Sequence, residues 1–234
     1  MGQRAGIEEK ELTLTASDGV KLPAFAALPA GVTGSPRVVI AAEIFGVTPW
    51  IKDVARSIAR EGFEAIAPEI FVRDPLPAGT DRAAWIARLQ RLDIPQSIRD
   101  LRLALAALGD GKGASIGFCL GGALSILTAA GGGLSACVSC YGRPRWMSPT
   151  PAPHAIEAAH RVPCPVLGIY GKNDPGIPVA DAEELGKAFP PGSELALFDA
   201  GHAFLNDTRP DMYVEAAARL AWPKIFGFLR RNLA

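Results

Sequence analysis

The chain reads as an α/β protein: a doubly wound, mostly parallel sheet with helices on both faces and an N-terminal antiparallel hairpin. Two observations predict this. Short apolar, β-branched runs alternate with longer stretches whose leucines and isoleucines recur every three or four residues, the pattern of parallel strands joined by crossover helices. The opening residues instead alternate one by one on either side of Asp18-Gly19, a strong hairpin signal.

Taken in order, 11–16 and 20–28 are the two arms of that hairpin. Residues 36–42 (PRVVIAA) form a strand buried on both faces, and a loop over 43–49 leads into a helix at 50–61. Gly62 opens the next strand, 63–67, and proline-rich 68–80 is a loop. Helical spacing returns at 81–92 and 94–108. Strand 114–118, helix 120–130 and strand 134–141 follow, then an irregular proline-rich excursion over 142–163. Strand 165–170, helix 179–189, strand 194–198 and a helix at 211–229, bent at Pro223, complete the chain. Ligands of such folds bind at the carboxyl ends of the strands. The loops beginning at Glu43, Cys119, Asn173 and Gly201 all follow strands and reach that edge.

Length and composition bound the rest. At 234 residues the expectation is one domain, 1–234, and 24 basic against 24 acidic side chains give no electrostatic case for nucleic acid or an anionic membrane as partner. The first ten residues are polar and carry no secretory signal, and no apolar run is long enough to span a bilayer. Four cysteines in a chain of this size read as free thiols, which predicts a cytoplasmic protein. Oligomeric state is not legible, and a monomer is compatible with everything above.

Gly117-Phe118-Cys119-Leu120-Gly121-Gly122 sits between a strand and a helix. A sharp strand-to-helix turn strains its central residue and leaves no room for flanking side chains, hence the glycines. Such a turn exposes Cys119 at the sheet edge and aims it at the first amides of the helix, where an oxyanion is stabilised. The bland reading is a glycine-rich turn with a structural cysteine. His202 follows the last strand, where a general base belongs, whereas His154 and His160 lie in the proline-rich excursion. Asp174, after strand 165–170, is placed to accept the other imidazole N–H. Its bland reading is a turn aspartate before Pro175, and Asp199 and Asp207 are rivals by proximity. Cys137 and Cys140 match C-x-x-C, but residues three apart on a strand face opposite ways, so core packing is the better reading.

These residues resemble the dienelactone hydrolase (carboxymethylenebutenolidase) family of the α/β-hydrolase superfamily. The likeness rests on Glu43-Ile44-Phe45-Gly46, the cysteine elbow, Gly171-Lys172-Asn173-Asp174 and Gly201-His202-Ala203-Phe204, in that order over nearly the whole chain. It implies an α/β-hydrolase fold and a nucleophile–acid–base triad of Cys119, Asp174 and His202. It also implies that Glu43 contacts the thiol and that the backbone amides of Leu120 and Ile44 form an oxyanion hole. The activity implied is cleavage of a small activated ester or lactone through an acyl-enzyme, with no cofactor and no metal. General carboxylesterase or thioesterase action on the same fold, and a noncatalytic ligand-binding scaffold, are the alternatives. Family members hold a substrate carboxylate with arginines. Arg82 loosely matches one of them, and Asn206 stands where the other is expected. Phe45 and Tyr141 are the expected aromatic contacts. Arg209 reads as a solvated surface side chain, or else as a substitute arginine.

Overall fold

The computed structural model describes residues 6–75, 81–146 and 152–234. The hairpin is there: β1 (Ile7–Thr15) and β2 (Lys21–Pro29) pair antiparallel, from Ile7 opposite Pro29 to Thr15 opposite Lys21. β1 starts four residues before its alternation predicts, at Ile7-Glu8-Glu9-Lys10. That stretch buries little, so it shows no apolar period, yet its backbone still has β2 to bond to.

The remaining elements are β3 (Arg37–Ala41), α1 (Pro49–Arg60), β4 (Glu64–Pro68), α2 (Arg82–Arg91), α3 (Ile94–Ala106), β5 (Gly113–Phe118) and α4 (Leu120–Ala130), then β6 (Ala136–Cys140), α5 (Ala155–Ala159), β7 (Val166–Gly171), α6 (Val179–Lys187), β8 (Glu194–Phe198) and α7 (Glu215–Leu233). The eight strands form one sheet in the order β1-β2-β4-β3-β5-β6-β7-β8. β1 and β2 run antiparallel to their neighbours and every pairing from β4 to β8 is parallel, as the fold class requires. β4, β5, β6 and β7 are buried at every residue, which is why they read as continuous apolar runs.

Helix starts follow local chemistry. The side chains of Thr48, Asp81 and Asp93 accept from the backbone N–H groups of Ile51, Ala84 and Gln96, satisfying donors that a helix N-terminus leaves free. Two expectations shift. The excursion at 142–163 contains a short helix, α5, where Ala155-Ile156-Glu157-Ala158-Ala159 supplies good helix formers. The Glu157 carboxylate accepts from the His154 N–H at its start. The last helix begins at Glu215 rather than 211, because Met212 and Tyr213 donate their amides back to the Arg209 carbonyl in a turn. It then continues through Pro223 to Leu233.

Among the described residues no helix is long and apolar enough to cross a membrane. All four cysteines are unbridged. Cys137 and Cys140 lie wholly buried in β6, where burial pushes both thiols up.

Candidate active site

Cys119 follows β5 with φ 55° and ψ −117°, a left-handed-side conformation that costs a non-glycine residue about 1–3 kcal/mol. Its N–H donates to the Cys140 carbonyl at 3.0 Å and its carbonyl accepts from Gly122 at 3.0 Å, so neighbouring backbone holds the strain in place. The glycines are explained by contact distances. A Cβ on Gly117 would lie 1.9 Å from the Gly121 carbonyl oxygen, and one on Gly121 1.9 Å from that of Ala41. No side chain fits either place, so α4 can lie against β3 and β5 and point its first amides at the edge where Cys119 emerges.

Two other non-glycine residues among those described have positive φ: Tyr141 at 40° and Ala203 at 55°. Each follows a strand end, β6 and β8, and both adjoin the same edge. Backbone strain is therefore concentrated where four loops meet, a distribution typical of functional sites.

His202 Nδ1 donates to Asp174 Oδ2 across 2.6 Å. Asp174 is buried, and its other oxygen accepts from the Gly176 N–H at 2.8 Å, which sets the carboxylate plane. A carboxylate can only accept, so the proton sits on Nδ1 and leaves Nε2 for the sulfur. Burial opposes an imidazolium here, but hydrogen bonds to Asp174 and Cys119 outweigh it and raise His202 to about 10. Asp199, the rival acid, is exposed and accepts instead from Asn173 Nδ2 at 2.7 Å. The tilted edge of the Tyr141 ring lies 5.2 Å from the imidazole, centroid to centroid.

Glu43 follows β3 and is 2 % exposed. Burial raises its carboxyl above the ordinary range. A hydrogen bond from Asn206 and the positive charges of Arg209 and His202 work in the opposite direction. Asn206 Nδ2 donates to Glu43 Oε2 at 2.9 Å, while Asn206 Oδ1 accepts from both the N–H (3.1 Å) and the hydroxyl (2.6 Å) of Thr208. Asn206 thus stands beneath the site, bound to Glu43. The Arg209 guanidinium lies 5.4 Å from the Phe45 ring centre and 3.8 Å from the Asp211 carboxylate, half-buried at the mouth. Phe45 also meets the edge of Trp85 at 5.0 Å. Tyr141 is wholly buried, and its hydroxyl has no hydrogen-bond partner among the described residues. Leu120 opens α4, and Ile44 follows Glu43 in a turn closed by Gly46 N–H donating to the Glu43 carbonyl at 3.0 Å. The side chain of Arg82 lies outside the described residues.

Sequence reasoning missed three supports. Arg88, buried with its guanidinium 3.7 Å from the Phe71 ring centre, donates to the carbonyls of Ile44 (3.4 Å) and Phe71 (3.3 Å) and so braces the Glu43 loop. Glu69 accepts from the Val47 N–H at 2.8 Å and braces the loop's far end. Thr208 fixes Asn206. Arg88 and Glu69 are joined to their targets across folded space, whereas Thr208 lies two residues from Asn206, and only the helical position of Arg88 among apolar neighbours hinted at burial. Among the described residues no group of three His, Cys, Asp or Glu side chains is arranged to hold a metal ion.

The model of the dienelactone hydrolase family matches residues 22–233. The chain belongs to the dienelactone hydrolase family. It is a hydrolase of that family, and the α/β-hydrolase fold expected from its motifs is the one observed. Two relatives named carboxymethylenebutenolidase illustrate the span of the likeness. That of Rhodococcus opacus is 33% identical over 86% of this chain and 83% of its own length. That of Pseudomonas sp. strain P51 is 31% identical over 94% of both. A crystal structure from Klebsiella pneumoniae, named "Putative Dienelactone Hydrolase", superposes with a TM-score of 0.90 at 30% identity, covering 96% of this chain and 99% of that one.

Proposed function

We propose that this dienelactone hydrolase family member cleaves a small activated ester or lactone through Cys119, with His202 as base and Asp174 orienting it. The observation that carries the reading is the His202–Asp174 hydrogen bond of 2.6 Å beside a strained cysteine at a helix N-terminus. Its components are separated by 55 and 28 residues in the chain, and only a catalytic arrangement has use for all three together.

With the Cys119 proton held on His202 Nε2, the sulfur forms a bond to the substrate carbonyl carbon. The carbonyl electron pair moves to oxygen, which the amides of Leu120 and Ile44 receive. When the tetrahedral intermediate collapses, the C–O bond breaks and His202 returns its proton to the departing oxygen, leaving a thioester on Cys119. Water, deprotonated by His202, attacks the thioester; the sulfur leaves and takes the proton back. Thiolate is a better leaving group than an alkoxide, so the first intermediate goes forward only with an activated leaving group such as an enolate or phenolate. Glu43 flanks this centre as a buried carboxyl. Phe45 and Tyr141 line it, and Arg209 is the candidate cation at its mouth. A small ester or lactone is the partner this chemistry calls for.

The relatives' name refers to a carboxylated lactone. Asn206, bound to Glu43, favours as second reading a general esterase of the same fold. Hydrolysis of 4-nitrophenyl acetate by wild type and Cys119→Ala, with mass spectrometry of the quenched enzyme, tests the mechanism. The expected result is loss of at least about 1000-fold in kcat for the variant and an acetyl adduct on the wild-type peptide holding Cys119. Equal rates in both proteins would sink the assignment.

A further inference from the structure

We propose that this site is built for esters or lactones whose acyl portion is uncharged, and that Asn206 is the residue that sets this preference. The inference rests on the hydrolytic reading of the Cys119 site and deepens it.

Asn206 is 3% exposed and its polar atoms are spoken for. The Thr208 backbone N–H can only donate, so the amide atom facing it at 3.1 Å must be the oxygen. That fixes the orientation: Oδ1 takes both Thr208 donors, and Nδ2 is left to face Glu43 at 2.9 Å. The residue supports a neighbouring carboxyl and carries no charge of its own. Of the two N–H groups on its nitrogen, one is given to Glu43, and neither brings a charge to the site.

Glu43 is an acid in the floor of the site, with a neutral amide rather than a cation as its partner. The phenol ring of Tyr141 is buried beside His202. A substrate carboxylate entering here loses water and meets a second carboxyl whose hydrogen-bond partner is a neutral amide, with Arg209 and His202 acting on it only through space, an arrangement whose cost grows as the local dielectric falls. Among the described arginines near the site, Arg88 is committed to the carbonyls of Ile44 and Phe71, and Arg143 lies beside Gly176 on the Asp174 side, away from Asn206's contacts with Glu43 and Thr208. Arg209 lies half-buried over Phe45 and near Asp211, and its charge reaches Glu43 through space rather than by a hydrogen bond. An uncharged lactone carbonyl needs none of these cations. It needs only the sulfur, the imidazole and the two loop amides.

The test uses a matched pair: 4-carboxymethylene-butenolide and its uncharged 4-methylene analogue, the same ring without the carboxylate. With the wild-type enzyme, kcat/KM for the uncharged lactone is expected to exceed that for the carboxylated one by about tenfold or more. Parity, or preference for the carboxylated lactone, overturns the proposal. Asn206→Arg places a cation in the floor and is expected to improve kcat/KM on the carboxylated lactone at least tenfold, mainly through KM, without improving the uncharged one. An equal change on both substrates in the folded variant also counts against it. Calorimetric binding of both lactones to Cys119→Ala separates this claim from the catalytic one. If the wild type turns over neither lactone, the hydrolytic reading fails, and the ratio of the two affinities still decides the selectivity.

Discussion

Cys119, Tyr141 and Ala203 hold positive φ angles in the segments that follow β5, β6 and β8, and the surrounding backbone sustains that cost. For Cys119 it can be measured. Glycine occupies such a conformation freely, whereas alanine bears the same clash between Cβ and backbone as cysteine does. Cys119→Gly is therefore expected to be more stable than Cys119→Ala by about 1 kcal/mol, with neither variant active. Urea unfolding with unchanged slopes and a higher midpoint for the glycine variant is the outcome to look for. Equal midpoints would mean the elbow stores no strain. The same scale explains why the two glycines flanking the elbow are fixed: each faces a carbonyl oxygen at a distance no Cβ can tolerate.

At the scale of elements, the attachment of α3 to the region after β4 depends on a charge cluster. Asp100, buried in α3, receives Arg73 at 2.6 and 3.3 Å and Gln96 Nε2 at 2.8 Å. Arg73 also reaches Asp18 in the hairpin turn at 2.6 and 3.0 Å, and this pairing holds the exposed Asp18 carboxyl down at about 2. The two aspartates differ in burial, so the two ends of the cluster should differ in energy. Arg73→Ala leaves the Asp100 carboxylate buried beside a single amide and is expected to cost about 3 kcal/mol. Asp18→Ala removes a solvent-screened partner and should lose much less. Thermal unfolding of the two variants decides it, and the ranking fails if Asp18→Ala is the more destabilised.

For the whole molecule, the site gives stability a pH dependence. His202 is raised from 6.5 to about 10, so the folded state binds a proton that the unfolded chain releases between those values. Its stabilising contribution is complete below about pH 6.5 and is lost as pH rises toward 10. Glu43 is also raised, and a carboxyl that prefers to stay protonated when folded likewise costs stability as pH climbs above its ordinary value. Both act in one direction. Wild type is expected to lose stability steadily from about pH 6.5 to 10, and His202→Gln to show a flatter profile over that range. Identical profiles would remove the imidazole as the cause.

The strand–helix alternation, the hairpin at Asp18-Gly19 and the elbow at Cys119 were legible in the sequence because each is local. Periodicity, a turn dipeptide and two glycines are properties of neighbours along the chain. The order Cys119, Asp174, His202 could be read as well, since each follows a strand and the fold brings strand ends to one edge. Local signals were weaker where burial was partial, as at β1, or where helix formers hid among prolines, as at α5. What the tertiary structure alone decided is which side chains meet. It joined His202 to Asp174 rather than Asp199, set Arg88 against the Ile44 carbonyl, and turned Asn206 onto Glu43 across 163 residues of sequence. The reason is physical. A hydrogen bond depends on distance and direction in folded space, and residues far apart in the chain carry no local mark of either.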